Sequence, residues 1–186
     1  MCHSVTAYLG AREYEYIWQA IENTDIKYIV EQLGVTSARA IALENGGDAL
    51  ELIDFLNKLL YRFFNKELKD TIERVGKAPI RKLKDIDRIT GAYLLAKKHG
   101  LDTTFNMIAF ASALIFRKDA DEASKAVSDD YKTLGAKQTL KKYTNVDFTD
   151  SECAIIDKYA ELIANNDYKA VIKIAERERA NAIPNK

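Results

Sequence analysis

Apolar residues recur at three- and four-residue spacing through most of the chain, the period that lines one face of an α-helix. Between Asp48 and Phe64 the series Leu52, Phe55, Leu56, Leu59, Leu60 and Phe63 predicts a helix with Asp48 as its N-cap after Gly46-Gly47. A second helix is predicted from Asp87 to His99, stopped by Gly100. From Thr103 to Phe116 there is no charged residue at all, and Asn106–Phe116 is apolar nearly all round. That pattern suits a central helix surrounded by others, and the stretch is shorter than the ~20 residues that span a bilayer. Further helices are predicted at Ser4–Leu9, Glu13–Asn23, Asp25–Leu33, Ser37–Glu44, Lys66–Val75, Asp121–Leu134, Ala136–Tyr143, Asp150–Asn165 and Asp167–Asn181. Thr149-Asp150 ahead of Cys153, Ile155, Ile156 and Tyr159 marks the start of one of them. No strand alternation of four or more residues and no fixed repeat emerges. The fold class is all-α.

Composition supports one domain. The 186 residues are 47% apolar and 30% charged, with 2 Pro and eight glycines that fall mostly where periodic segments end. Charge is balanced at 28 basic against 28 acidic residues, which argues against a nucleic-acid partner and against a membrane surface. Two distant cysteines, Cys2 and Cys153, do not make a disulfide framework, and the first residues show no signal peptide, so a cytoplasmic setting is expected. No metal-ligand pattern stands out. A glycine-rich phosphate loop after a strand, the usual mark of a dinucleotide site, is missing as well.

The balanced total hides an uneven distribution. Met1–Tyr61 holds four basic and nine acidic residues, whereas Arg62–Arg88 holds nine basic and five acidic ones. Within the basic segment, Gly76 and Pro79 set a turn between two helices with Arg and Lys on both sides. Guanidinium forks and ammonium groups around such a turn suit a phosphate, with a following helix N-terminus adding partial positive charge. From composition alone, the same charges fit better a solvated face with pairs such as Asp70–Arg74. His3, at the start of the first helix, is the one histidine placed for proton exchange with a hydroxyl. His99 reads as a helix C-terminal charge, and Cys2 has no second histidine near it in sequence to activate it.

Five blocks carry a resemblance. His3-Ser-Val-Thr-Ala-Tyr-Leu-Gly10, Arg62-Phe-Phe-Asn65, Lys69-Asp-Thr-Ile-Glu-Arg-Val-Gly76, Pro79-Ile-Arg-Lys-Leu83 with Asp87-Arg88, and Asn106-Met-Ile-Ala follow one another in family order. On them the chain resembles the C-terminal domain of the polyol-specific long-chain dehydrogenase family, on its branch acting on mannitol 1-phosphate and fructose 6-phosphate. The match is good to about Phe116, and the remaining residues agree mainly in helical pattern. The resemblance implies a multi-helical bundle like the C-terminal domain of 6-phosphogluconate dehydrogenase-like enzymes. It also implies that NAD is bound mainly by an N-terminal Rossmann domain absent from this chain, that no metal takes part, and that this domain alone is inactive. In the family's catalytic helix a lysine is the general base, and an asparagine stands three residues before the histidine. His3 matches that histidine, so the asparagine and lysine are expected upstream of Met1. His3 would then orient the substrate oxygen, and Arg62, Asn65, Arg74, Arg81 and Lys82 form the pool of substrate-binding residues for a phosphate remote from the hydride centre. A relative acting on an unphosphorylated polyol or a sugar acid is one alternative. A non-enzymatic helical module whose basic turn holds an anion is the other.

Overall fold

Side-chain caps open helices where the sequence predicts them. The Asp48 carboxylate accepts the Leu50 N–H at 2.8 Å. Thr149 and Glu152 form a reciprocal capping box, each side chain accepting the other's backbone N–H. The computed structural model describes residues 1–182, so Pro184 lies outside the described residues. In chain order the helices are α1 (Cys2–Gly10), α2 (Ile17–Glu22), α3 (Thr24–Asn45), α4 (Ala49–Tyr61), α5 (Ile72–Gly76), α6 (Pro79–Leu83), α7 (Thr90–Lys98), α8 (Thr104–Ile115), α9 (Glu122–Thr144), α10 (Asp150–Ala164) and α11 (Tyr168–Ala182). Short 3-10 turns at Arg62–Phe64 and Lys66–Leu68 link α4 to α5. The fold is all-α, with one isolated β-bridge, Tyr16 to Thr71, among the described residues.

The uncharged segment forms α8, and every residue from Phe105 to Leu114 is buried. It packs against α10, α9, α1, α11 and α3. Each large apolar side chain withdrawn there, such as Phe105, Ile108 or Phe110, contributes on the order of 1.5–3 kcal/mol. α1 is the second buried helix, covered from Ser4 to Gly10.

Four predicted boundaries move, each for a local reason. The helix predicted from Glu13 to Asn23 starts only at Ile17, because Tyr16 is extended and bridges to Thr71. Asp25–Leu33 and Ser37–Glu44 are one continuous helix, α3. Gly34 lies inside it because a Cβ there would come within 2.4 Å of Leu56 on α4, and Ser37 bonds back to the Leu33 carbonyl at 3.0 Å. The predicted Lys66–Val75 helix is broken. Lys69 takes a left-handed conformation (φ 48), and the following residues extend before Thr71 caps α5 through the Arg74 N–H. Two backbone hydrogen bonds, Ile17 N–H to Asp70 O at 2.9 Å and Ile72 N–H to Glu15 O at 2.8 Å, pin this stretch beside the α1–α2 loop. α7 starts at Thr90, later than Asp87, because Asp87 and Arg88 sit in a turn closed by the Gly91 N–H on the Asp87 carbonyl at 2.7 Å. The predicted break between Leu134 and Ala136 is present, since Gly135 interrupts α9 with φ 74 and ψ 177.

Candidate functional site

α1 presents His3 from its first turn, half-buried, with its ring stacked on Phe63 at 4.7 Å between centroids and 23° between planes. The β-bridge brings Asp70 to the same place, although 67 positions separate the two in sequence. The His3 Nε2 lies 3.1 Å from Asp70 Oδ2 but makes no aligned hydrogen bond. The other Asp70 oxygen is ion-paired with Arg74. Burial, then the Arg74 guanidinium, with Lys82 and Arg62 adding to it, push the His3 imidazole down to about 4. A neighbouring carboxylate by itself would raise it, but Asp70 is already neutralised by Arg74. His3 is therefore neutral at pH 7, with Nε2 buried and turned toward the Asp70 carboxylate.

Arg74 connects this end to a second feature. With Val75, Lys77, Ala78, Arg81, Lys82 and Arg88 it lines an open recess of about 380 Å³ that has no acidic residue in its wall. The turn between α5 and α6 makes the recess. Gly76 is needed there because a Cβ would stand 2.3 Å from the Phe116 ring, and Ala78 takes a left-handed conformation (φ 59) before Pro79 starts α6. The Ala78 N–H donates to the carboxylate of Asp121 at 2.9 Å. That N–H is consequently occupied, and the five-residue α6 adds little of the helix-terminus charge expected from sequence.

Lys82 is the unusual member. Its side chain is 2% exposed, its ammonium donates to the Val75 carbonyl at 2.6 Å, and it lies over the Tyr8 ring at 5.3 Å. Desolvation first, and then Arg88 and Arg81, push it down to about 8. Burying an ammonium without a carboxylate partner is costly unless something supplies counter-charge.

Of the five binding candidates from the sequence, Arg74, Arg81 and Lys82 share the recess and Arg62 and Asn65 do not. Arg62 is exposed beside Phe63, on the His3 side. The Asn65 side-chain oxygen Oδ1 accepts the Glu67 N–H at 3.0 Å and caps a 3-10 turn. Sequence reasoning left Arg88 out of the binding pool, although the Asp87-Arg88 pair stood among the matched blocks, and it missed Asp70 as a neighbour of His3 altogether. A larger, more apolar recess of about 670 Å³ shares Arg88 with the cationic one and runs between α3 and α7 past Ser37, Ile41, Asp87, Gly91 and Leu95. Cys2 and Cys153 are free. Burial pushes the Cys2 thiol up and leaves it little thiolate. His99 faces Glu44 at 2.7 Å, remote from these groups. Among the described residues no group of three or more His, Cys, Asp or Glu could hold a metal ion, and no helix is long and apolar enough to cross a membrane.

Fold and site together define an all-helical domain that sets a neutral histidine beside a cationic recess. The chain belongs to the mannitol dehydrogenase C-terminal domain family, whose model matches residues 1–179. It is similar to the mannitol-1-phosphate 5-dehydrogenase of Thermoanaerobacter pseudethanolicus, 32% identical over 162 residues, which is 86% of this chain and 42% of that protein. The enzymes of the same name from Caldanaerobacter subterraneus and Clostridium acetobutylicum are each 30% identical, over 86% and 88% of this chain. The chain spans less than half the length of these relatives.

Proposed function

We propose that this chain is the substrate-holding half of an NAD-dependent dehydrogenase that interconverts mannitol 1-phosphate and fructose 6-phosphate. The observation that carries this reading is the adjacency of two unlike sites, the neutral His3 and the recess of Arg74, Arg81, Lys82 and Arg88, joined through Arg74. A sugar phosphate has the matching polarity, with a charged end to be clamped and a hydroxyl chain to be aligned. Cations remote from the reacting carbon fix its register without touching the hydride.

The described residues do not have the make-up of a dinucleotide cradle. NAD would come with a separate Rossmann domain and supply the hydride acceptor when bound. What this chain contributes is orientation. His3, neutral and buried on one side against Phe63, holds the substrate oxygen by a hydrogen bond, while Arg74 and Asp70 hold the imidazole's surroundings fixed. A lysine belonging to the upstream part of the enzyme takes the hydroxyl proton in the oxidising direction. By itself the chain binds substrate and does not turn it over.

Calorimetric titration of the chain with mannitol 1-phosphate, with mannitol and inorganic phosphate as controls, tests the reading. Mannitol 1-phosphate is expected to bind in preference to mannitol. Arg81→Ala should weaken it by about 1.5–3 kcal/mol, the contribution of a charge-assisted contact. Equal binding of mannitol and its phosphate, or no effect of Arg81→Ala, would contradict it.

A further inference from the structure

The two nitrogens of the His3 ring have unlike surroundings. Nε2 is buried, without an aligned hydrogen bond, and stands 3.1 Å from Asp70 Oδ2. The side chain as a whole keeps 38% of its surface exposed, so Nδ1 is the nitrogen that a ligand can reach. Stacking on the buried Phe63 resists turning the ring over. Asp70 is held more firmly than a surface carboxylate. Lys69 before it takes the left-handed conformation, its own carbonyl accepts the Ile17 N–H at 2.9 Å, and Thr71 after it bridges to Tyr16. Arg74 occupies the second carboxylate oxygen. Two backbone contacts and an ion pair thus aim the remaining oxygen at the buried nitrogen.

Resting on the function proposed above, we propose that Asp70 is a positioning residue that keeps the His3 proton on Nε2, which leaves Nδ1 to accept a hydrogen bond from a substrate hydroxyl next to the reacting carbon. A neutral imidazole carries one proton, so one of its nitrogens is a donor and the other an acceptor. With the proton on Nδ1, the lone pair of Nε2 would face the lone pairs of a carboxylate oxygen at 3.1 Å; with the proton on Nε2, the same approach is attractive. Inside the fold, where charges are poorly screened, that difference decides the tautomer. An acceptor nitrogen suits some substrate oxygens and repels others. The reacting oxygen gives up its proton and becomes a carbonyl, whose lone pairs an unprotonated Nδ1 would oppose. The hydroxyls on the carbons to either side keep their protons in both mannitol 1-phosphate and fructose 6-phosphate, so one of them can donate to Nδ1 before and after hydride transfer. His3 then holds the carbon chain in register throughout the reaction and leaves the reacting oxygen to groups that donate.

The test reads the protonation of each His3 ring nitrogen from proton–nitrogen correlation spectra of the isotope-labelled chain at neutral pH, first without ligand. The unaltered chain should show one tautomer, with Nε2 protonated and Nδ1 bare, whereas Asp70→Asn and Asp70→Leu should give a mixture of the two. A protonated Nδ1 in the unaltered chain, or a single tautomer that survives both substitutions, would overturn the role of Asp70. Where a variant folds poorly, the spectrum of the unaltered chain still decides the tautomer. Mannitol 1-phosphate and fructose 6-phosphate are then each expected to move the Nδ1 resonance. Asp70→Asn should weaken both by about fivefold, the worth of one hydrogen bond, without weakening inorganic phosphate. An equal loss for all three ligands would show a merely structural role, and an Nδ1 shift with only one of the two sugar phosphates would put the reacting oxygen at His3; either result overturns the proposal. If neither sugar phosphate alters any part of the spectrum, the function proposed above fails and the acceptor role falls with it, a result distinct from a wrong tautomer in the ligand-free chain.

Discussion

His3 and Lys82 show how two neighbouring cation-forming side chains are detuned by the same surroundings. The imidazole is held near 4, against an ordinary value of 6.5, by burial and Arg74. Between those limits the unfolded chain binds a proton that the folded chain refuses, so this residue makes the fold less stable as pH falls from 6.5 toward 4. Chemical-shift titration of the histidine ring should find His3 without a transition near 6.5, and His3→Gln should flatten that part of the stability profile. An ordinary titration of His3 would show that the surroundings are not as described. For Lys82 the window lies higher. Between about 8 and the usual lysine range its neutral form is favoured in the fold, so its contribution to stability rises with pH there while its pull on an anion declines. Fructose 6-phosphate affinity should therefore fall as pH rises above 8, and Lys82→Met should remove that decline. The sequence made part of this legible. His3 and the Arg74–Lys82 cluster were candidates from residue type and order, and Asp70–Arg74 was expected from its i,i+4 spacing. What stayed hidden was which charges are buried, because Arg81 and Lys82 are adjacent letters set roughly 100° apart around the helix, one exposed and the other buried.

At the scale of elements, glycines mark where the reading from sequence was too simple. Their positions at the ends of periodic segments predict stop signals, and Gly46, Gly100 and Gly135 do have positive φ. Gly76 has another task. Its missing side chain lets the α5–α6 turn close onto Phe116, the ring that braces Tyr8. Gly76→Ala is expected to cost about 1–3 kcal/mol by overpacking and to weaken phosphate binding as well, measurable as a lower midpoint in denaturant and a weaker isotherm. The equivalent Gly34→Ala, which would push Leu56 away, should cost stability and leave binding intact. At α10, Thr149→Ala removes a capping box and should cost about 1 kcal/mol, with denaturant unfolding as the check. Helix existence was legible because periodicity and capping are local. The broken 66–75 segment was not, since its left-handed Lys69 and its bridge to Tyr16 answer to a partner strand of chain far away in sequence.

Across the whole molecule, the buried α8 and α1 act as a scaffold on which the less regular stretch from Arg62 to Arg88 is hung. That stretch holds the excess of positive charge, and its convergence on the first turn of α1 is the tertiary event that turns a basic segment into a site. The most direct measurement is the amide spectrum of this chain titrated with fructose 6-phosphate, with each shifted residue assigned. A single site of this kind predicts shifts confined to His3 through Tyr8, Asp70, Arg74 through Lys82, and Arg88. Shifts centred elsewhere, such as the recess of Gln32, Arg39 and Arg179, or shifts that mannitol reproduces at the same concentration, would contradict it.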